Sequence, residues 1–148
     1  MDDTINKIIT LLEKYFNGDD SEIKKKKILI ADDSSIILNF ISNNIGGDLE
    51  PVRANNGKDT IEKIKSNDFY AILLDLNMPS MSGFEVLDYL KDNHLLETIP
   101  VVVITGDDTE DTIKKAFTYP ILDVLNKPFN EEKLRRILVT IKSFYDHK

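Results

Sequence analysis

LLDLNMPSMSG, residues 73–83, is an apolar run that stops on an acid, Asp75, and breaks at Met78-Pro79 into a Ser-Gly segment. Unbroken apolar residues suit a strand buried on both faces, while Pro79 and Gly83 end it and open a turn. A carboxylate closing a buried strand, with a turn and a helix start directly behind it, needs a reason. Working outward, short β-branched runs alternate with helical patterns. Strands are expected near 27–32, 50–54, 70–75, 99–105 and 122–127, with helices near 35–45, 57–67, 83–93, 108–118 and 130–145. YAILLD (70–75) and IPVVVIT (99–105) are almost continuously apolar, as central strands of a parallel sheet with helices on both faces would be. Ser82-x-x-Glu85 forms a capping box ahead of Phe84, Leu87 and Leu90, and Leu134, Ile137, Leu138 and Ile141 give the last helix an inward face. Five βα units predict an α/β class fold, an open doubly wound five-stranded parallel sheet.

The chain has 148 residues and 41% hydrophobic content, enough for one packed core. Nineteen Lys+Arg against 26 Asp+Glu leave a net charge of -7, which repels phosphate backbones, so direct nucleic-acid binding is not expected. No cysteine is present, which excludes disulfides, thiolate metal sites and cysteine nucleophiles. No apolar run reaches the ~18 residues needed to span a bilayer, and MDDTINKIITLLEKYF starts acidic where a secretory signal is basic. A cytoplasmic protein without membrane insertion is expected.

Residues 1–25 lie outside the βα repeat. Ile5, Ile8, Ile9, Leu12, Tyr15 and Phe16 follow i, i+3, i+4, i+7 spacing, and Asn17-Gly18 offers a stop, so a short amphipathic helix and a polar linker, NGDDSEIKKKK, are expected before a main domain at 26–148. A helix of about 14 residues is marginal alone in water, so its apolar face needs a surface to cover.

In such a sheet the binding crevice forms at the carboxyl ends of the strands, where strand order reverses. The first strand ends on Asp32-Asp33, the third on Asp75, the fourth on Thr105 and the fifth on Lys127-Pro128; the second contributes nothing comparable. Three carboxylates in one crevice repel unless a cation sits among them, and oxygen donors without His or Cys point to Mg²⁺. Mg²⁺ bound through carboxylates calls for a phosphoryl group. Phosphoryl transfer then needs a nucleophile, a cation and a hydroxyl donor, roles open to Asp75, Lys127 and Thr105.

These residues carry a resemblance. ILIADDSS (28–35), VRANNGKDTIEKI (52–64), LLDLNMPSMSGFEVL (73–87), IPVVVITGDD (99–108) and NKPFNEEKL (126–134) resemble the receiver domain of two-component response regulators over about residues 26–145. The resemblance implies a flavodoxin-like strand order 2-1-3-4-5 and phosphoryl transfer from a histidine kinase or phosphotransfer protein to Asp75. It also implies Mg²⁺ held by Asp32, Asp33, Asp75 and the backbone carbonyl of Asn77, with Thr105 and Lys127 on the phosphoryl oxygens and a cis peptide before Pro128. The module so implied is a phosphoacceptor that catalyses only its own phosphorylation and dephosphorylation. A lone strand-terminal Asp is more often a cap or turn residue; five functional positions in order and at spacing carry the assignment. His94 and His147 lie in no matching motif and read as surface residues. GGDLE (46–50) resembles a diguanylate cyclase signature, but it reads as a helix stop followed by a strand.

Two departures stand out. Receivers commonly place an aromatic three residues before the lysine, and here that residue is Val124; the loop before it, Tyr119-Pro120-Ile121, replaces a frequent Gly-Ala, with Pro120 expected to stop the fourth βα helix. Tyr119 is expected to stand in partly for the missing aromatic. Two rivals come from other classes. A pseudo-receiver would bind proteins without phosphorylation control; a haloacid-dehalogenase-like phosphatase would need a second acid two residues after the nucleophile, where Asn77 stands. With the chain ending after the fifth βα helix, output is expected through an unknown downstream protein, the N-terminal helix or a change of oligomer. Two surfaces offer a homodimer contact: residues 1–16, and the face of the fourth βα helix, fifth strand and last helix.

Overall fold

The structure, a computed structural model, describes residues 3–17 and 25–147, with side chains described for 3–12 and 25–147. Five strands, β1 (Lys26–Ala31), β2 (Leu49–Ala54), β3 (Ala71–Asp75), β4 (Val101–Thr105) and β5 (Asp123–Asn126), form one parallel sheet in the order β2-β1-β3-β4-β5. The helices are α1 (Asp3–Asn17), α2 (Ser35–Asn44), α3 (Gly57–Ser66), α4 (Gly83–Asp92), α5 (Glu110–Ala116) and α6 (Glu131–Asp146). This is the doubly wound architecture with strand order 2-1-3-4-5.

The continuous apolar runs separate in space into two alternating sets, as the period of two along a strand demands. Ile28, Ile30, Leu73 and Ile104 face a core completed by Leu38 and Ile41 of α2 and Leu134, Ile137 and Ile141 of α6. Leu29, Ile72, Leu74 and Val103 face the opposite core, completed by Ile61 and Ile64 of α3 and Val86, Leu87 and Leu90 of α4. Burial on both faces is why these strands tolerate no polar residue until their ends. Tyr145 on α6 stacks on Tyr70 at 4.6 Å and donates its hydroxyl to the Tyr70 carbonyl, fixing the last helix to the start of β3.

Helix starts are capped as their sequences indicate. Ser34, Asn56, Ser82, Thr109 and Asn130 each accept a first-turn amide, and Ser82 with Glu85 completes the capping box. Most boundaries shift by a residue or two from expectation, and two of the shifts have a clear local cause. β4 starts at Val101 because Pro100 has no N–H to give a ladder. Helix α5 ends at Ala116, before Pro120 is reached: the Thr118 and Tyr119 amides turn back to the Lys115 and Ala116 carbonyls, tightening the chain first. GGDLE spans the end of the turn after α2, where Gly46 takes φ +92°, and the first residues of β2.

In α1, Ile5, Ile8, Ile9, Leu11 and Leu12 are each 44–50% exposed, so this apolar stripe has little cover. The expected Gly18 stop and most of the expected linker, residues 18–24, lie outside the described residues, as do the side chains of Tyr15 and Phe16. Among the described residues no helix is long and apolar enough to cross a membrane.

Candidate functional site

Parallel register brings the strand ends together. Ala31 pairs with Leu74, so Asp32 follows beside Asp75; Asp75 pairs with Ile104, placing Thr105 one residue beyond; Thr105 pairs with Asn126, placing Lys127 next. Order reverses between β1 and β3, so Asp32, Asp33 and Asp75 stand at the topological switch point. One carboxylate oxygen from each of the three lies within 4.8 Å of the others.

Burial separates their roles. Asp32 is fully buried and Asp75 is 2% exposed, while Asp33 faces solvent. Asp32 Oδ1 accepts the Ser34 amide at 2.9 Å. Its Oδ2 lies 2.8 Å from Lys127 Nζ, a short charge-assisted contact that leaves the ammonium as its counter-charge. Asp75 Oδ1 accepts the Asn77 amide at 3.2 Å, and its Oδ2 stands 3.5 Å from the same ammonium. Burial, and next the Asp32 charge, push the Asp75 carboxyl up to about 6, against the opposing pull of the Asn77 amide and Lys127. Burial would lower the Lys127 ammonium, but the Asp32 and Asp75 carboxylates outweigh it and raise it above its ordinary value.

This donor set fits a hard divalent cation. Three carboxylates gather beside one ammonium, and every donor is a hard oxygen. A cation there would offset the repulsion that one ammonium cannot neutralise.

Thr105 is fully buried, and its hydroxyl is engaged by its own loop: Oγ1 accepts the Asp107 amide at 2.9 Å and donates to the Asp107 carbonyl at 3.3 Å. Asp107 in turn accepts the Thr109 amide and the Thr112 hydroxyl at the start of α5, which holds its carboxyl below the ordinary range. The Thr105 carbonyl accepts the Lys127 amide at 2.8 Å, and the Lys127-Pro128 peptide is cis.

A family model described as the response regulator receiver domain matches residues 28–139. The chain belongs to the response regulator receiver family. This receiver is 26% identical to chemotaxis protein CheY1 of Helicobacter pylori over 118 residues, covering 78% of the present chain and 95% of that one. It is 34% identical to response regulator ArlR of Staphylococcus saprophyticus over 123 residues, covering 78% and 52%. Among solved structures, the chemotaxis response regulator CheY4 of Vibrio cholerae matches with a TM-score of 0.73 at 26% identity, over 80% of this chain and 99% of that one. The chain spans 27%, 48% and 56% of the lengths of three other curated relatives that it matches.

Two contacts of the receiver are not apparent in the sequence. The segment after β2, which looked chemically empty, packs Gly57 onto the β3–α4 loop, with the Gly57 amide 3.3 Å from the Pro79 carbonyl. An Asn-Gly pair opening a helix was the available signal, but only tertiary structure shows what it touches. Tyr119 donates to Asp88 Oδ1 of α4 at 2.6 Å, and its ring centroid lies 6.2 Å from that of Phe84. Burial first, then Asp88, pushes its hydroxyl up to about 12. Val124 packs against the same core as Tyr119. His94 and His147 are exposed and outside the crevice.

Proposed function

We propose that this receiver accepts a phosphoryl group on Asp75 from the phosphohistidine of a histidine kinase or phosphotransfer protein, in a Mg²⁺-dependent step in the cytoplasm, and thereby switches its protein contacts. Residues 26–148 form the receiver in this reading, and residues 1–25 are a helical extension and linker. The observation that carries it is the meeting of Asp75 with Asp32, Asp33 and Lys127 at the switch point of the sheet.

An Asp75 oxygen forms the new bond to phosphorus as the phosphorus–nitrogen bond of the donor breaks and the imidazole leaves with that electron pair. The Asn77 amide holds Asp75 Oδ1, which fixes the rotation of the carboxylate. Lys127 stands where it can pair with a phosphoryl oxygen once Asp75 Oδ2 is esterified. Bound Mg²⁺, held by Asp32, Asp33, Asp75 and the Asn77 backbone carbonyl, would supply charge neutralisation for the transferring group. Thr105 must release Asp107 to reach a phosphoryl oxygen. Because Asp107 anchors Thr109 and Thr112, that release loosens the start of α5 and carries the event to the protein surface. Hydrolysis of the acyl phosphate resets the module, which is a signalling domain with self-catalysed chemistry. The exposed stripe of α1 suits self-association or partner docking.

Intact mass after incubation with a small phosphodonor tests the reading. One phosphate adduct that requires both Mg²⁺ and Asp75, and is lost in Asp75→Asn or in chelator, is expected. No adduct in any condition would overturn it in favour of a pseudo-receiver.

A further inference from the structure

We infer that the amino terminus of α3, through Gly57 with Asn56 and Ser80, is a positioning element for the loop that carries Asn77. The inference rests on the phosphoacceptor reading above.

Residues 76–82 join β3 to α4. Their two ends are tied together by the Gly83 amide on the Leu76 carbonyl at 2.9 Å. Their far end is seated on a different element. A methyl group added at Gly57 would lie 2.0 Å from the Met81 carbonyl oxygen and 2.7 Å from the Met81 carbonyl carbon, so loop backbone and helix start are in direct contact with no room for a side chain. Around this seat the Gly57 amide points to the Pro79 carbonyl at 3.3 Å, the Lys58 amide to Ser80 Oγ at 3.4 Å, and Ser80 Oγ to Asn56 Oδ1 at 3.4 Å. Those bonds are long and individually weak, so the steric seat is the main constraint. Ser80 takes φ +67°, a left-handed conformation unfavourable for a side chain other than glycine, and the surrounding contacts hold it there.

None of these three residues belongs to the acidic cluster. Their effect on the site passes through the loop, whose position sets where the Asn77 carbonyl points. To clear a 2.0 Å contact, loop or helix must move by about 1 Å, beyond the ~0.5 Å within which a functional constellation keeps its geometry. The consequence is local: metal affinity falls while Asp32 and Asp33, which follow β1 and not this loop, stay in place.

The test compares wild type, Gly57→Ala and Ser80→Ala by calorimetric titration with Mg²⁺ and by amide hydrogen exchange over residues 76–83 in chelator, with a urea curve to establish folding. Expected for Gly57→Ala are Mg²⁺ binding weakened about 10-fold or more and faster exchange in the metal-free loop. Ser80→Ala, which removes only the hydroxyl contacts at an exposed position, should weaken binding about two- to threefold, since long hydrogen bonds contribute little. A folded Gly57→Ala with wild-type affinity and loop exchange overturns the inference. Should Gly57→Ala not fold, Ser80→Ala decides it on the same two readouts. Wild type that binds no Mg²⁺ and takes no phosphate sinks the phosphoacceptor reading itself, a result distinct from equal affinities in wild type and variants.

Discussion

Replacing Asp75 with Asn should stabilise the metal-free protein, by an amount that grows with pH. The folded carboxyl sits at about 6 against an ordinary 3.8, because burial and Asp32 disfavour its charge. The sign follows from proton binding. Between these two values the folded state holds a proton that the unfolded state has lost, so wild-type stability falls as pH rises through the window and then levels off. A shift of this size corresponds to about 1 kcal/mol at pH 4.5 and about 3 kcal/mol at pH 8. Solvent does not screen it away, since the side chain is almost fully buried. Asn keeps the shape and carries no charge, so the difference in unfolding free energy between variant and wild type should widen by about 2 kcal/mol across that range. In melting temperature, 3 kcal/mol is about 6–12 °C for a chain of this size. The assay is urea unfolding in chelator at pH 4.5, 6 and 8, followed by far-ultraviolet circular dichroism because no tryptophan is present. Excess Mg²⁺ should close much of the gap by stabilising wild type more than the variant. A difference that does not change with pH, or an Asn variant less stable at pH 8, would refute the charge-repulsion account.

Lys127→Ala should cost about 3 kcal/mol in chelator, because it leaves fully buried Asp32 without a counter-charge, whereas Lys114→Ala, at an exposed pair with Glu110, should cost less than about 0.5 kcal/mol. Parallel denaturation curves of the two variants check this, and equal costs would contradict it. Tyr119→Phe keeps the ring on Phe84 but breaks the bond to Asp88, with an expected loss of about 1 kcal/mol in the same curves. Val124→Tyr should alter phosphorylation-dependent partner binding in a pull-down, if Tyr119 now does part of the work of an aromatic at 124; unchanged binding would count against that role. Deleting residues 1–22 should lower the solution mass measured by light scattering, as removal of a self-associating stripe requires, and an unchanged mass with and without phosphodonor would dispose of the α1 dimer.

The fold was legible because nearly every local signal agreed with it. Apolar strands bounded by Gly, Pro and acids, with a cap residue before each receiver helix, left few alternatives. The juxtaposition of the crevice residues was legible because parallel register puts neighbouring strand ends side by side, so a list of terminal residues is already a list of neighbours. Contacts that depend on how loops settle were hidden. Nothing in Asn56-Gly57 announces that it meets Pro79–Met81, and nothing in Tyr119 announces Asp88, since the partners are 22 to 24 and 31 residues apart with no periodicity linking them. The end of α5 was set by backbone turns ahead of Pro120, a competition decided by a few weak bonds that no single residue declares.

Charge counting links metal and phosphoryl group more closely than either does alone. In the unmodified crevice Asp32, Asp33 and Asp75 face Lys127, a net of minus two when all are ionised. Esterification removes the Asp75 charge but brings a phosphoryl group carrying close to two, so the crevice becomes more negative by about one. A divalent cation therefore relieves more repulsion in the modified state than in the unmodified one. On the proposed phosphoacceptor reading, linkage makes the same factor appear twice: phosphorylation should tighten Mg²⁺ binding, and Mg²⁺ should shift the phosphorylation equilibrium toward the acyl phosphate by that amount. Lys127 cannot supply this coupling alone, because its single charge is already shared between Asp32 at 2.8 Å and Asp75 at 3.5 Å before any phosphate arrives. Mg²⁺ titrations of the unmodified receiver and of one carrying beryllofluoride on Asp75 would measure the factor directly, and equal affinities would show that charge accumulation is not what ties the two together.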